Sequence, residues 1–316
     1  MLTRLRLPLA VVLGLSLVTV GCGKYSFASL KAKKAFQDAN VLYQQQDYKR
    51  AAEKYEEVLL ADPELVTAYF FLGNSYDNLF KPARVGEAEN DAYLQKAIEN
   101  YKLSADKETD PKMRRLAMEY LVAAYGPDKL NDPAQSEPIV KQMIEMDPNE
   151  PTNYFALAKI YEDSGMYDEA EATLLKAREV RPNEPTVYTT LAGYYNRQGE
   201  FDKTIEALEA RAEREPENPE AFHTIATYYW DKAFRDFRLK DPEKREFVLK
   251  GIEASDRALK LKSDYIDALT YKNLLLRLQA NLEKDPKVQQ QLIAEADKLR
   301  DEAIDLQKRK TAGVGD

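Results

Sequence analysis

Pro148, Pro182 and Pro216 stand 34 residues apart, and the residues around them keep the same interval. Tyr154, Tyr188 and Phe222 form one column; Leu157, Leu191 and Ile225 form a second. Ala158, Ala192 and Ala226 form a third, and Tyr161, Tyr195 and Tyr229 a fourth. Gly165 and Gly199 make a fifth, each followed two residues later by an aromatic, Tyr167 or Phe201. The segments 147–151 and 181–185 differ only in their first residue. A fixed period of this length means one supersecondary unit copied along the chain, each copy burying its apolar face on the next.

Within one period the spacing is helical. Tyr154, Leu157, Ala158 and Tyr161 fall at i, i+3, i+4 and i+7, one apolar face of a first helix. Ala158 is small because a second helix must cross close to it, and Ala170, Leu174 and Ala177 supply that helix's inward stripe. Gly165 allows the turn between them, since a positive φ costs glycine nothing. Pro182 stops the second helix, and Pro185 and Pro219 fit the first turn of the next one, where the missing amide is not needed. The pattern resembles the tetratricopeptide repeat, whose unit is an antiparallel helix pair. That resemblance implies an all-α fold, a right-handed superhelical solenoid of about seven such pairs over 32–309, without a domain boundary.

The register extends outward with interruptions. Residues 32–65 supply Ala39, Leu42, Tyr48, Ala51, Tyr55 and Pro63 in matching places. Regular repeats are expected at 151–184 and 185–218, and lengthened ones near 66–110 and 219–265, each with about a dozen added residues. A degenerate unit covers about 112–147, the pair at 266–309 is expected to cap the stack, and 310–316 reads as a flexible tail.

The first residues read as an address. Arg4 and Arg6 precede an uncharged, mostly apolar run from Leu7 to Val20, which is short for a spanning helix and suits a signal-peptide core. It ends at Gly21-Cys22, where the chain resembles a bacterial lipoprotein signal. The resemblance implies cleavage of 1–21, acylation of Cys22, and a tether at 22–31 holding the body to a membrane. Gly23 in place of an acidic residue implies the outer membrane, facing the periplasm. Acyl chains anchor through about 0.8 kcal/mol per buried methylene.

One Cys and one His exclude a Cys/His metal site and an intramolecular disulfide, and a net charge of −8 disfavours nucleic acid as a partner. There is no phosphate loop, HExxH or GxSxG pattern, so no catalytic constellation, metal or cofactor is expected. Lys232, Arg235, Arg238, Lys240, Lys244, Arg245 and Lys250 crowd one insert, interleaved with acids. They read as a long ion-paired helix, the alternative being contact with anionic lipid headgroups or an acidic partner.

In this repeat class the first helices line the inner curve, and residues one place after the core columns face it. These are Phe36, Asn40 and Tyr43; Phe70, Asn74 and Asp77; Phe155, Lys159 and Glu162; Thr189 and Asn196; and His223, Thr227 and Trp230. Aromatics beside amides suit an extended peptide, since rings give contact area and amides bond backbone. Chaperone-binding members of the family clamp a terminal carboxylate with Lys at the Phe36 place; Asn40 matches that pattern, Phe36 does not, and the clamp is not expected. The expectation is a lipid-anchored scaffold without enzymatic activity, binding a protein partner such as a secretin or another envelope-complex subunit, as pilotin-like lipoproteins of this class do. The alternatives are an exopolysaccharide-export scaffold and a carbohydrate-active enzyme using Asp77 and Glu162.

Overall fold

The computed structural model describes residues 27–313, with side chains described from Ser29 onward. The leader 1–21, Cys22 and the start of the tether lie outside the described residues, as does 314–316. Among the described residues there are fourteen α-helices and no strand. The chain divides into two compact units inside helix α6 (Pro133–Met146): one through Ser136, the other from Glu137 onward. The repeat pattern had implied no boundary. Pro138 sits within α6, where its ring removes an amide from the hydrogen-bond ladder.

In the first unit α1 (Phe27–Gln44) packs on α2 (Tyr48–Ala61), and α3 (Thr67–Leu79) on α4 (Ala88–Lys107), followed by α5 (Pro111–Ala124). Residues 27–31 of the expected tether are thus already helical. Ala39, Ala51, Tyr55, Val58, Leu72, Ala97 and Tyr101 form the core. The added residues between α3 and α4 make a short 3-10 turn at Pro82–Arg84. Buried Asn90 ties that turn down: it accepts from the Lys81 amide at 2.8 Å and donates to the Lys81 carbonyl at 3.1 Å.

The second unit holds α7 (Pro151–Asp163) with α8 (Tyr167–Val180), α9 (Pro185–Gln198) with α10 (Phe201–Arg214), α11 (Pro219–Arg235) with α12 (Asp241–Leu261), and α13 (Ile266–Leu282) with α14 (Pro286–Thr311). The sequence columns become a repeated bonding scheme. Tyr154 donates its hydroxyl to the Pro148 carbonyl at 2.8 Å, and Tyr188 to the Pro182 carbonyl at 2.7 Å. Each link fastens a first helix to the linker before it, which explains why the tyrosine and proline columns travel together. Arg214 donates to the same Pro182 carbonyl at 2.7 Å and lies over the Tyr188 ring at 3.9 Å. Tyr161 donates to Glu137 at 3.0 Å and Tyr195 to Glu171 at 2.9 Å, again one period apart. Ala158, Ala192 and Ala226 are all buried, as close helix crossing requires. Gly165 and Gly199 take φ of 75° and 77°, the left-handed region in which a side chain would be strained.

Candidate functional site

Each unit presents its own first-helix face. In the first, α1 and α3 carry a contiguous set of rings. Half-buried Phe36 lies 5.8 Å from Tyr55 and 6.1 Å from Phe71, and Tyr43 lies 5.4 Å edge-on to Phe71. Tyr55 stacks on Phe71 at 5.8 Å. Phe70 is only 5 % exposed, edge-on to Tyr120 at 5.2 Å, so it fills the core instead of lining open surface.

A polar network runs beneath these rings. Tyr43 donates to Asn74 Oδ1 at 2.6 Å, and Asn78 donates to the same oxygen at 2.9 Å. Asn74 Nδ2 donates to the Tyr101 hydroxyl at 3.3 Å, which donates onward to Asp77 at 3.2 Å. Lys129 forms an ion pair with Asp77. Asn40 accepts from Tyr55 at 2.6 Å. Burial pushes the Tyr43, Tyr55 and Tyr101 hydroxyls upward, so all three remain protonated donors at neutral pH. Asn74, 5 % exposed, therefore holds the unit together, and its amide is not offered to a peptide. Phe71 and Tyr120, outside the expected set, are the rings that reach toward the surface with Phe36 and Tyr43.

The second unit's face is more open. The repeat places Phe155, Thr189 and His223 in one column, and Glu162, Asn196 and Trp230 in another. Phe155 is half-buried, Thr189 is exposed with its hydroxyl donating to the Pro185 carbonyl, and Lys159 is exposed and paired with Asp163. Glu162 receives a bidentate pair from Arg197, Nε at 2.7 Å and Nη2 at 2.9 Å, across the repeat boundary. That guanidinium holds the Glu162 carboxyl below the usual carboxylate range. Asn196 is exposed on the neighbouring turn. Thr227 donates to the His223 carbonyl at 3.0 Å.

His223 and Trp230 belong to an aromatic group that the sequence columns did not reveal. His223 sits edge-on to Tyr265 at 5.3 Å and to Tyr271 at 5.2 Å, both contributed by the α13 region, where the repeat pattern fades. Its Nδ1 is buried without a hydrogen-bond partner. Burial lowers its pKa, with Asp267 and Glu220 opposing, so the ring is a neutral packing element. Trp230 stacks on Phe234 at 5.0 Å and meets Tyr271 edge-on at 5.5 Å.

The basic insert is not one long helix. It is the α11–α12 junction, because α11 ends at Arg235 and α12 starts at Asp241. Lys232 pairs with Asp236 at 3.0 Å, Arg235 with Asp231 at 2.6 Å and Arg238 with Asp236 at 2.9 Å. A cleft of about 470 Å³ opens beside it, lined by Asn196, Phe201, Tyr228, Arg235, Phe237 and Arg238. Among the described residues no cluster of three or more His, Cys, Asp or Glu side chains could hold a metal ion, and no helix is long and apolar enough to cross a membrane.

Family models of the tetratricopeptide repeat match residues 36–104 and 129–194. No curated protein matches the chain. Among solved structures, the C-terminal part of a TPR repeat-containing protein from Cytophaga hutchinsonii aligns over 86 % of this chain and 98 % of its own, at 16 % identity and a TM-score of 0.53. MamA from Desulfovibrio magneticus aligns over 64 % of this chain and 97 % of its own, at 16 % identity and a TM-score of 0.42. YrrB, described as a TPR protein with an unusual peptide-binding site, aligns over 63 % of this chain and 97 % of its own, at 17 % identity and a TM-score of 0.42. The Cytophaga alignment supports the same helical-repeat fold, and with the two family matches and the bonding columns it gives the conclusion: the chain is a tetratricopeptide-repeat-containing protein.

Proposed function

We propose that this chain is a binding scaffold that holds an extended segment of a protein partner along the first-helix face of its second unit. The observation that carries the reading is the composition of that face. Between Phe155 at one end and the Trp230–Phe234 stack at the other lie Thr189, Asn196 and Thr227, with Glu162 paired to Arg197 and Lys159 paired to Asp163. Uncharged donors and acceptors flanked by rings suit peptide backbone, which presents both kinds of group along each edge. Asp77 and Glu162, the acids an enzymatic reading would need, are each occupied by a cation, Lys129 and Arg197.

The reading extends to a lipid anchor at Cys22, a place on the periplasmic side of an outer membrane, and a partner drawn from an envelope complex such as a secretin or pilus-assembly subunit. An apolar run that stops at Gly21-Cys22 supports the anchor. A photo-reactive residue at Asn196 in intact cells should give a discrete protein adduct; a silent Asn196 beside adducts on the opposite side of the unit would overturn the assignment of the face. Cys22→Ser should move the chain from the membrane to the soluble fraction, and retention on membranes would remove the anchor.

A further inference from the structure

The α11–α12 junction shows a feature that peptide binding does not require. Helices α11 and α12 run 17 and 21 residues, against 13 or 14 in α7 to α10, so the added residues carry the loop between them out from the regular repeats. Phe237 at that tip is 91 % exposed and Phe234 58 %, more than any other aromatic ring described. Trp230 backs Phe234 through the 5.0 Å stack. Beside the rings stand Arg235, 72 % exposed, Arg238, 76 % exposed, and Lys240. Asp236 is the acid within the loop and Asp231 lies in the last turns of α11; both are engaged by Arg235, Lys232 and Arg238, while Asp241 and Glu243 open α12. From Asp231 to Lys240 there are four basic and two acidic side chains, a local excess of positive charge on a chain whose net charge is −8.

A projecting ring needs a receptor that can close around it. A protein partner would have to supply a matching pocket, whereas a bilayer interface accommodates any convex aromatic tip and places guanidinium groups at phosphate depth. The excess charge adds attraction to an anionic surface and none to a neutral one. We infer that the Phe234–Lys240 tip is a membrane-docking element: Phe237 and Phe234 enter the interface of an anionic phospholipid bilayer while Arg235 and Arg238 meet headgroup phosphates. This contact is separate from acylation at Cys22, and it adjoins the peptide-binding face, sharing Phe234 with the end of that face.

The chain has a single tryptophan, which makes a site-specific readout possible. In the full chain, Trp230→Phe combined with Phe237→Trp moves the only indole to the tip. Vesicles containing phosphatidylglycerol should shift its emission to the blue and protect it from acrylamide, and brominated lipid should quench it; pure phosphatidylcholine should do so weakly. In the parent chain, Phe234→Ser with Phe237→Ser should weaken vesicle binding by at least about tenfold, the value of burying one large apolar side chain. Arg235→Gln with Arg238→Gln should reduce binding to the anionic vesicles alone. Both pairs are exposed, so circular dichroism should be unchanged. An unresponsive tip indole while the chain still sediments with vesicles would assign membrane binding to the N-terminal segment and overturn the proposal, whereas the peptide-binding face is read separately by the adduct at Asn196 in the parent chain. Equal insertion into both lipids, or a protein adduct from a photo-reactive residue at 237 in cells, would overturn it as well.

Discussion

Replacing Asn74 with alanine separates a residue that builds the first unit from one that binds a partner. Three hydrogen bonds end on its amide, from Tyr43 at 2.6 Å, from Asn78 at 2.9 Å and to Tyr101 at 3.3 Å. Each is worth about 1 kcal/mol net. Two of the neighbours keep a second partner: Tyr101 retains Asp77, and Asn78 retains the Asn74 carbonyl at 2.8 Å. Tyr43 loses its acceptor but is only half-buried, so water replaces it, and the larger penalty for orphaned buried groups does not apply. Alanine also regains about 0.5 kcal/mol of helix propensity, which leaves a predicted loss of about 2–3 kcal/mol. Global melting is a poor assay for a chain of two units. Hydrogen exchange followed by mass spectrometry reads each helix separately, and amides of α3 and α4 should exchange about 30- to 150-fold faster at that loss. Helix α9, in the other unit, should not change. If α3 stays within about threefold of the parent, Asn74 behaves as an ordinary surface side chain and the network argument is wrong.

Tyr188→Phe removes one donor to the Pro182 carbonyl while Arg214 keeps another, so α9 should lose about 1 kcal/mol by local exchange. A double-mutant cycle on Glu162→Gln and Arg197→Gln should give a coupling below about 1 kcal/mol, because the arginine is half exposed and screened by solvent. The Glu162 pKa is lower in the folded state, so that coupling should be present above the unfolded carboxylate range and vanish as pH falls through the folded value. For His223 the folded pKa is also lowered, from 6.5, but in a base: the unfolded chain takes up the proton first, so stability should be full above about pH 6.5 and decline on acidification. His223→Phe should flatten the acid side of the pH profile of hydrogen-exchange protection in α11 and α13, after correction for intrinsic exchange, and an unchanged slope would place the ring in water.

The regular repeats were legible because each column has a local cause. Pro182 ends one helix, Gly199 turns the chain at φ 77°, and Ala192 lets the paired helix approach, all within one period. Of the residues one place after the core columns, expected on the inner curve, Thr189 and Asn196 are exposed whereas Phe70 and Asn74 are buried. The difference lies in distant residues. Asn74 is covered by Tyr101, 27 positions on, and Asp77 is taken by Lys129, 52 positions on, and no pattern within α3 encodes either. His223 was likewise hidden behind Tyr265 and Tyr271, because the last helix pair has drifted from the repeat while keeping its packing. The basic insert misled for another reason. Its charges alternate as on a solvated helix, yet Asp236 accepts from the Arg238 amide and closes a loop in the middle of the run.

The most direct test of the scaffold reading is a photo-crosslinking scan of the second unit in living cells. Probes at Phe155, Thr189, Asn196 and Thr227 on the first helices should trap one and the same protein, while exposed Lys176 and Glu206 on the second helices trap none. Adducts concentrated at Lys176 and Glu206, with the first-helix positions empty, would contradict it.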